Sequence, residues 1–395
     1  MKVPFSVIPA LSRDPASSAP GKAAGPRLRA GVTKWWFCLL AIACLAPSSA
    51  AAQAPLAEQV AGALAAAGPG ARWGVLVLDP DGRELVAIRP DERFIPASTT
   101  KLFTTAAAYA TLTALDQPDA AGGASVAIGK RDVTLIGRGD ARLSSAPDCV
   151  KNCLAALADA VRAAKRRVRD VIGDARLFAD ERWSPGMSWN NIPTRSGTGV
   201  AALSLDDNEV ALTVTPGPSA GAAAVITGPG YFAVDSRVAT VAADAPSELS
   251  YHRLPAERRV RVTGTVALGA PQVLRLGVDD PAHYAAWRFA DLLRARGVKV
   301  RGQVRSRYRD PDAPGEPVVD SARLIPPPLA DDIAVITTQS QNLHAELLLR
   351  RVGLAYGEGS IAVGGAPSRR RWRRRACSAG RMTSPTGRAC RRTTG

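Results

Sequence analysis

Residues 95–112 read IPASTTKLFTTAAAYATL and set Ser98 and Lys101 three positions apart at the start of an apolar helical run. At that spacing two side chains share one face of a helix and come within reach of each other. A serine hydroxyl is a weak nucleophile near neutral pH and needs a neighbouring base. Lysine can serve when burial and nearby cationic groups disfavour its ammonium form. The helix N-terminus adds a positive potential and free N–H groups beside an anionic intermediate. The other reading is structural: Ser98 caps the helix and Lys101 is an exposed first-turn residue. Ser-x-x-Lys does not decide between the two by itself, because so short a pattern recurs by chance.

Working outward, residues 55–67 read as a helix with proline near its start and Gly68 at its end. WGVLVL, DPDG and RELVAI spell a strand, a tight turn and a second strand, a hairpin over 73–88. Residues 89–97 form a loop, and the helix bearing Ser98 and Lys101 runs to about 114. From Asp116 the texture changes to Gly- and Ala-rich turns with short strands at 133–136, 210–215 and 260–266, interrupted by an amphipathic helix at 153–164. Helical texture returns with DPAHYAAWRFADLLRARG, where Asp280 caps, Pro281 opens and Gly297 closes the helix. After three prolines at 326–328 come a helix near 329–337, the tetrapeptide QSQN, and a helix at 343–351.

QSQN brings a second chemical element. Ser340 offers a hydroxyl for proton transfer and Asn342 an amide to hold a substrate peptide group. Ser188 and Asn190 match the same Ser-x-Asn pattern but follow the turn-forming Pro185 and Gly186, whereas Ser340 sits between two helices.

The net charge of +16 sits at the ends of the chain. Residues 1–34 carry +5 and the last thirty carry ten arginines and no acid, which leaves the body near +1. A nucleic-acid surface on the folded body is therefore not expected. WWFCLLAIACLA, residues 35–46, is followed by small residues up to Ala54. A bilayer crossing needs roughly 20 apolar residues and a signal-peptide core roughly 7 to 15. The stretch reads as an export signal cleaved near Ala52 or Ala54, with no stable membrane span. Export permits disulfides, and Cys149 and Cys153 in CVKNC are placed to pair as a small local loop. The histidines, His252, His283 and His344, are scattered, and no Cys-x-x-Cys pair stands near them, so neither a metal nor another cofactor is expected.

FIPASTTKLFTTAAAYATL, GRGDARLSS, GDARLFADERWSPGMSWNNIP with AALSLDDNEVALTVTPG, and SQNLHAELLLRRVG occur in that order. Together they resemble the D-alanyl-D-alanine carboxypeptidase/endopeptidase class of low-molecular-mass penicillin-binding proteins, peptidase family S13-like, over roughly residues 55–360. The resemblance implies an α/β fold: a serine transpeptidase/β-lactamase-like antiparallel sheet with helices, plus a mostly β inserted domain. The catalytic part is split as 53–115 and 281–365 around an insert at 116–280, after a leader and signal peptide at 1–52 and before an Arg-rich disordered tail at 366–395. It also implies periplasmic cleavage of peptidoglycan stem peptides, with β-lactam antibiotics as covalent inhibitors. Ser98 would form the acyl-enzyme, Lys101 would be its base, and Ser340 and Asn342 would supply the second motif. The 242 residues between Ser98 and Ser340 leave room for an insert that class A β-lactamases lack. The resemblance further accounts for Arg138-Gly139-Asp140, which otherwise spells an adhesion tripeptide.

The family's third motif, Lys-Thr-Gly on a strand, has no counterpart, since no lysine follows Lys299. The expectation is a change of reading frame near 359–367 that replaces the final strands, leaving the chain poorly active and poorly stable. Two rival readings are a β-lactam-hydrolysing enzyme and a non-catalytic peptidoglycan-binding scaffold.

Overall fold

A computed structural model describes residues 55–68, 70–310 and 319–367. The expected leader and signal peptide, and the Arg-rich tail from residue 368, lie outside the described residues. The chain divides into two compact units, one up to Phe94 and one from Ile95 onward.

The first unit holds α1 (Leu56–Ala65) and a two-stranded antiparallel sheet of β1 (Val75–Leu78) and β2 (Glu84–Ile88). Its turn closes on Asp79, whose carboxylate accepts from the Arg83 N–H at 2.7 Å, and Gly82 takes the positive φ of 85° that the turn requires. The expected hairpin is present, with its strands inside the expected range.

The second unit opens with a 3-10 turn, Ser98–Thr100, that runs into α2 (Lys101–Thr111). α2 stops short of the expected residue 114 because Leu112 turns extended and Ala114 adopts a positive φ. Next come β3 (Ser125–Ile128), β4 (Val133–Ile136), α3 (Leu154–Ala164), β5 (Arg167–Val168) and β6 (Val171–Asp174). They are followed by β7 (Glu209–Thr215), β8 (Val225–Thr227), β9 (Ala233–Val241), β10 (Glu248–His252), β11 (Arg259–Ala267) and β12 (Gln272–Gly277). The chain continues through α4 (Pro281–Ala295), β13 (Lys299–Val300), β14 (Val304–Arg307), β15 (Ala322–Arg323), α5 (Leu329–Gln339) and α6 (Asn342–Leu354).

The largest sheet has the order β14-β6-β4-β3-β15. Its β14–β6 and β6–β4 pairs are parallel, while β4–β3 and β3–β15 are antiparallel. Two three-stranded sheets, β10-β11-β9 and β12-β7-β8, and a short parallel pair, β13-β5, complete a mixed α/β architecture rich in strands between 125 and 277. β13, β14 and β15 pair with β5, β6 and β3, so residues beyond 280 complete sheets begun before them. α4 lies on this sheet through buried Ala282, Ala285, Ala286, Phe289 and Leu293. The approach is close: a Cβ on Gly173 of β6 would stand 2.0 Å from the Ala282 carbonyl oxygen. Only glycine fits there.

One large core joins the sheets of the second unit to α3, α4 and Leu343 and Leu347 of α6. A separate cluster joins Ala107 and Ala108 of α2, Ile333 and Ile336 of α5, and Ala345, Leu348 and Val352 of α6. This second cluster positions the site. Cys149 and Cys153 form a disulfide. Arg138-Gly139-Asp140 is structural: Arg138 pairs with Asp320 at 2.7 Å, and the buried Asp140 accepts from Asn152 Nδ2 at 2.7 Å and from the Arg142 N–H at 2.8 Å. Among the described residues, no helix is long and apolar enough to cross a membrane.

Candidate active site

Ser98 does not cap its helix. The residue preceding the 3-10 turn is Ala97, no side-chain cap bond forms, and the turn is tied by Thr100, whose N–H and hydroxyl both donate to the Ala97 carbonyl. The Ser98 hydroxyl is thereby left for Lys101, whose Nζ donates to Ser98 Oγ at 3.0 Å and to Ser340 Oγ at 3.4 Å. Both side chains are turned toward each other, and the cap bond of the structural alternative is not made.

Ser340 reaches Lys101 because α5 ends one residue before it and Ser340 itself adopts the left-handed conformation, φ 58° and ψ 33°. A non-glycine residue holds that conformation at a cost of about 1 kcal/mol or more. The chain then re-enters a helix at Asn342, with the Gln341 side chain accepting from the Leu343 N–H at 3.2 Å. Asn342 Nδ2 donates to the Ser196 carbonyl at 2.8 Å, which ties the head of α6 to the 195–197 turn.

Ser98, Lys101 and Asn342 line a cleft of about 790 Å³ together with Trp183, Asn191 and Glu346, and Ser340 joins them through Lys101. Ser188, the rival serine, lines the same cleft, but its hydroxyl is spent on Asn190 Oδ1 at 2.5 Å. Of the two Ser-x-Asn pairs, the one at 340–342 meets the lysine.

Burial pushes the Lys101 ammonium below its ordinary value, and the Glu346 carboxylate partly opposes this. The direction suits a base. Glu346, four residues beyond Asn342 on the same face of α6, and the Ser196 carbonyl are parts of the site that sequence reading did not name. The helical spacing from Asn342 was the available signal for the first, while the second depends on a contact between residues 146 apart.

A serine with a partly desolvated lysine on a short turn, faced by a second serine and an asparagine from a helical hairpin, brings together the side chains that serine acyl transfer requires. The chain belongs to the D-Ala-D-Ala carboxypeptidase 3 (S13) family, whose model matches residues 56–371. Over 305 residues it is 32% identical to a D-alanyl-D-alanine carboxypeptidase from Actinomadura sp., an alignment covering 72% of this chain and 54% of that protein. The chain thus spans about half the length of that relative. In fold it is similar to penicillin binding protein 4 of Haemophilus influenzae, with a TM-score of 0.60, 19% identity, and coverage of 75% of this chain and 66% of that one. A second structure of the same protein, complexed with a β-lactam, gives a TM-score of 0.55 at 18% identity over 79% of this chain and 68% of that one.

Proposed function

We propose that this chain is a serine-type D-Ala-D-Ala carboxypeptidase/endopeptidase that acts on peptidoglycan stem peptides through an acyl-enzyme on Ser98, and that β-lactams acylate the same serine. The observation that carries this reading is the shared reach of Lys101 Nζ, 3.0 Å to Ser98 Oγ and 3.4 Å to Ser340 Oγ. With Lys101 neutral, its lone pair takes the proton as Ser98 Oγ attacks the carbonyl carbon of the terminal D-Ala–D-Ala bond. The carbon–nitrogen bond then breaks, and the departing amine receives that proton from Lys101 by way of the Ser340 hydroxyl. Water attacks the resulting ester, releasing the shortened peptide and restoring the Ser98 hydroxyl. The amide of Asn342 stands at the cleft wall, where it would hold a substrate peptide group.

Prolonged incubation with a millimolar penicillin should add the intact mass of the drug, since ring opening expels no atom, and peptide mapping should place the adduct on Ser98. Ser98→Ala should remain unlabelled. An adduct on another residue, or none, overturns the reading. The apolar core at residues 35–46 supports a periplasmic location. N-terminal sequencing of the exported protein should begin after Ala52 or Ala54, and retention of the full chain in the cytoplasm would refute this.

A further inference from the structure

α6 supplies Asn342 and Glu346 to the cleft, and between them lies His344, which the cleft does not use. His344 is only 4% exposed. Its Nε2–H donates to Asp207 Oδ1 at 2.9 Å, and its Nδ1 stands 3.1 Å from Asp332 Oδ1. The second contact is off-line for a hydrogen bond and acts as an ion pair. A neutral imidazole has one N–H and one lone pair. Between two carboxylates the lone pair would face a negative oxygen, so the arrangement calls for a proton on each nitrogen.

The partners hold the histidine from separate parts of the chain. Asp207 sits in the 206–208 turn, where Asp206, Asp207 and Asn208 all have positive φ, a conformation that persists only when its surroundings impose it. They do so here: Asp206 accepts from the Ser145 N–H at 2.8 Å, and Asn208 Nδ2 donates to the Gly199 carbonyl at 2.9 Å. Asp332 stands in the first turn of α5, the helix that ends at Ser340. Behind it Arg142 pairs with Asp332 at 3.1 Å and Asp331 at 3.2 Å and donates to the Pro328 carbonyl at 2.8 Å. Two carboxylates face the ring directly, Asp207 on the turn and Asp332 on α5; Arg142 pairs with Asp332 and Asp331 from behind, the buried Asp140 interacts with Asp332, and Asp206 and Glu346 are the further charged residues on the turn and on the histidine's own helix.

We propose that His344 is a positioning residue for the serine site: its imidazolium bridges α6, α5 and the 206–208 turn, and so holds Asn342 and Ser340 in register with Ser98 and Lys101. This rests on the serine-acylation reading above. Burial opposes the charge, but Asp207 and Asp332 outweigh it and lift the group to about 9. Because that lies above the ordinary histidine value, the bridge's contribution is fully present below about pH 6.5 and is lost as pH rises through about 9. The sign separates it from Lys101: deprotonating the lysine speeds acylation, whereas deprotonating the histidine slows it.

The test uses the whole chain, which has three histidines. With isotopically labelled histidine, the ring signal lost in His344→Gln should stay imidazolium in the wild type to about pH 8. Acylation of Ser98 by a labelled penicillin, followed from about pH 6 to about pH 10, should be roughly ten- to a hundredfold slower in His344→Gln at neutral pH. The variant should also lose the alkaline fall shown by the wild type. Hydrogen exchange at residues 340–343 should quicken in the variant while the amides of β9 and β11 stay protected, which reads the positioning role without any catalysis. A ring titrating near the ordinary value overturns the proposal, as do unchanged exchange at 340–343 or wild-type acylation with the same alkaline fall. If penicillin labels neither protein at any pH, the acylation reading falls alone, and the titration and exchange still decide the bridge.

Discussion

Asp140 ends a tripeptide that also spells an adhesion motif, yet its carboxyl group is buried. Burial pushes it up to about 6, reinforced by the Asp332 and Asp119 carboxylates and opposed by the bonds from Asn152 and the Arg142 N–H. For an acid raised in this way the unfolded chain ionises first, so stability falls as pH rises, by on the order of 2 kcal/mol between about pH 4 and about pH 6. Asp140→Asn should remove that slope. The amide oxygen introduced there keeps the Arg142 N–H, and its N–H₂ meets Asn152 Oδ1, which is buried without a partner, once the Asn152 amide turns over. Urea unfolding at both ends of the window should show the variant at least as stable as wild type near neutral pH; a loss of several kcal/mol would mean that an ionised carboxylate is needed. The same residue scale shows what a sequence exposes. Ser98 and Lys101 are recognisable because their spacing is local and helical, whereas the burial of Asp140 and the two carboxylates on His344 depend on residues far off in the chain.

At the scale of elements the periodic segments are legible and their ends are less so. Residues 133–136 are a strand as read, the 153–164 helix begins one residue later, and the 343–351 helix runs instead over Asn342–Leu354. The start at Ser98 differs in kind: a 3-10 turn precedes α2, and this tighter winding puts Ser98 Oγ within 3.0 Å of Lys101 Nζ. Strand partners were not legible. β11 pairs in parallel with β9, and β14 with β6 across more than a hundred residues, and alternation along one strand says nothing about which strand will lie beside it. The α2–α5–α6 cluster is small enough to test by itself. Ile336 is fully buried within it, and Ile336→Ala should cost about 2–5 kcal/mol. Because α5 contributes to this cluster and not to the large core, which α6 shares through Leu343 and Leu347, hydrogen exchange should rise in α5 before it rises in β9–β11, and Ser98 acylation should fall with it. Uniform loss of protection across both cores would show that they unfold as one.

Over the whole molecule, order and spacing of motifs disclosed the family, because four segments in sequence are far more specific than any one of them. The family's third motif found no counterpart among them, which bears on the charge of the substrate proposed above. A substrate ending in D-alanine brings a carboxylate, and burying it without a cation or several N–H donors is costly. No lysine follows Lys299 to form the family's third motif. Arg182 lines the cleft but is engaged: it donates to Asp180 Oδ1 at 3.0 Å and to the Asp279 carbonyl at 3.2 Å, and its guanidinium stacks on Tyr308. Lys101 is committed to the two serines. Among the described residues that line the cleft, both cations, Lys101 and Arg182, are thus engaged, and the carboxylate of the substrate proposed above meets no free counter-charge there. Loss of one preorganised electrostatic contact in an acyl-transfer site costs roughly a hundred- to a thousandfold in rate. The purified 395-residue chain should accordingly label with penicillin about that much more slowly than the Actinomadura carboxypeptidase under the same conditions. A longer polypeptide that continues the family sequence beyond residue 359 with a Lys-Thr-Gly strand should recover the difference. Labelling of the 395-residue chain at the relative's own rate would show that the cleft answers the substrate carboxylate without a third motif, and Arg182 would then be the residue to replace first.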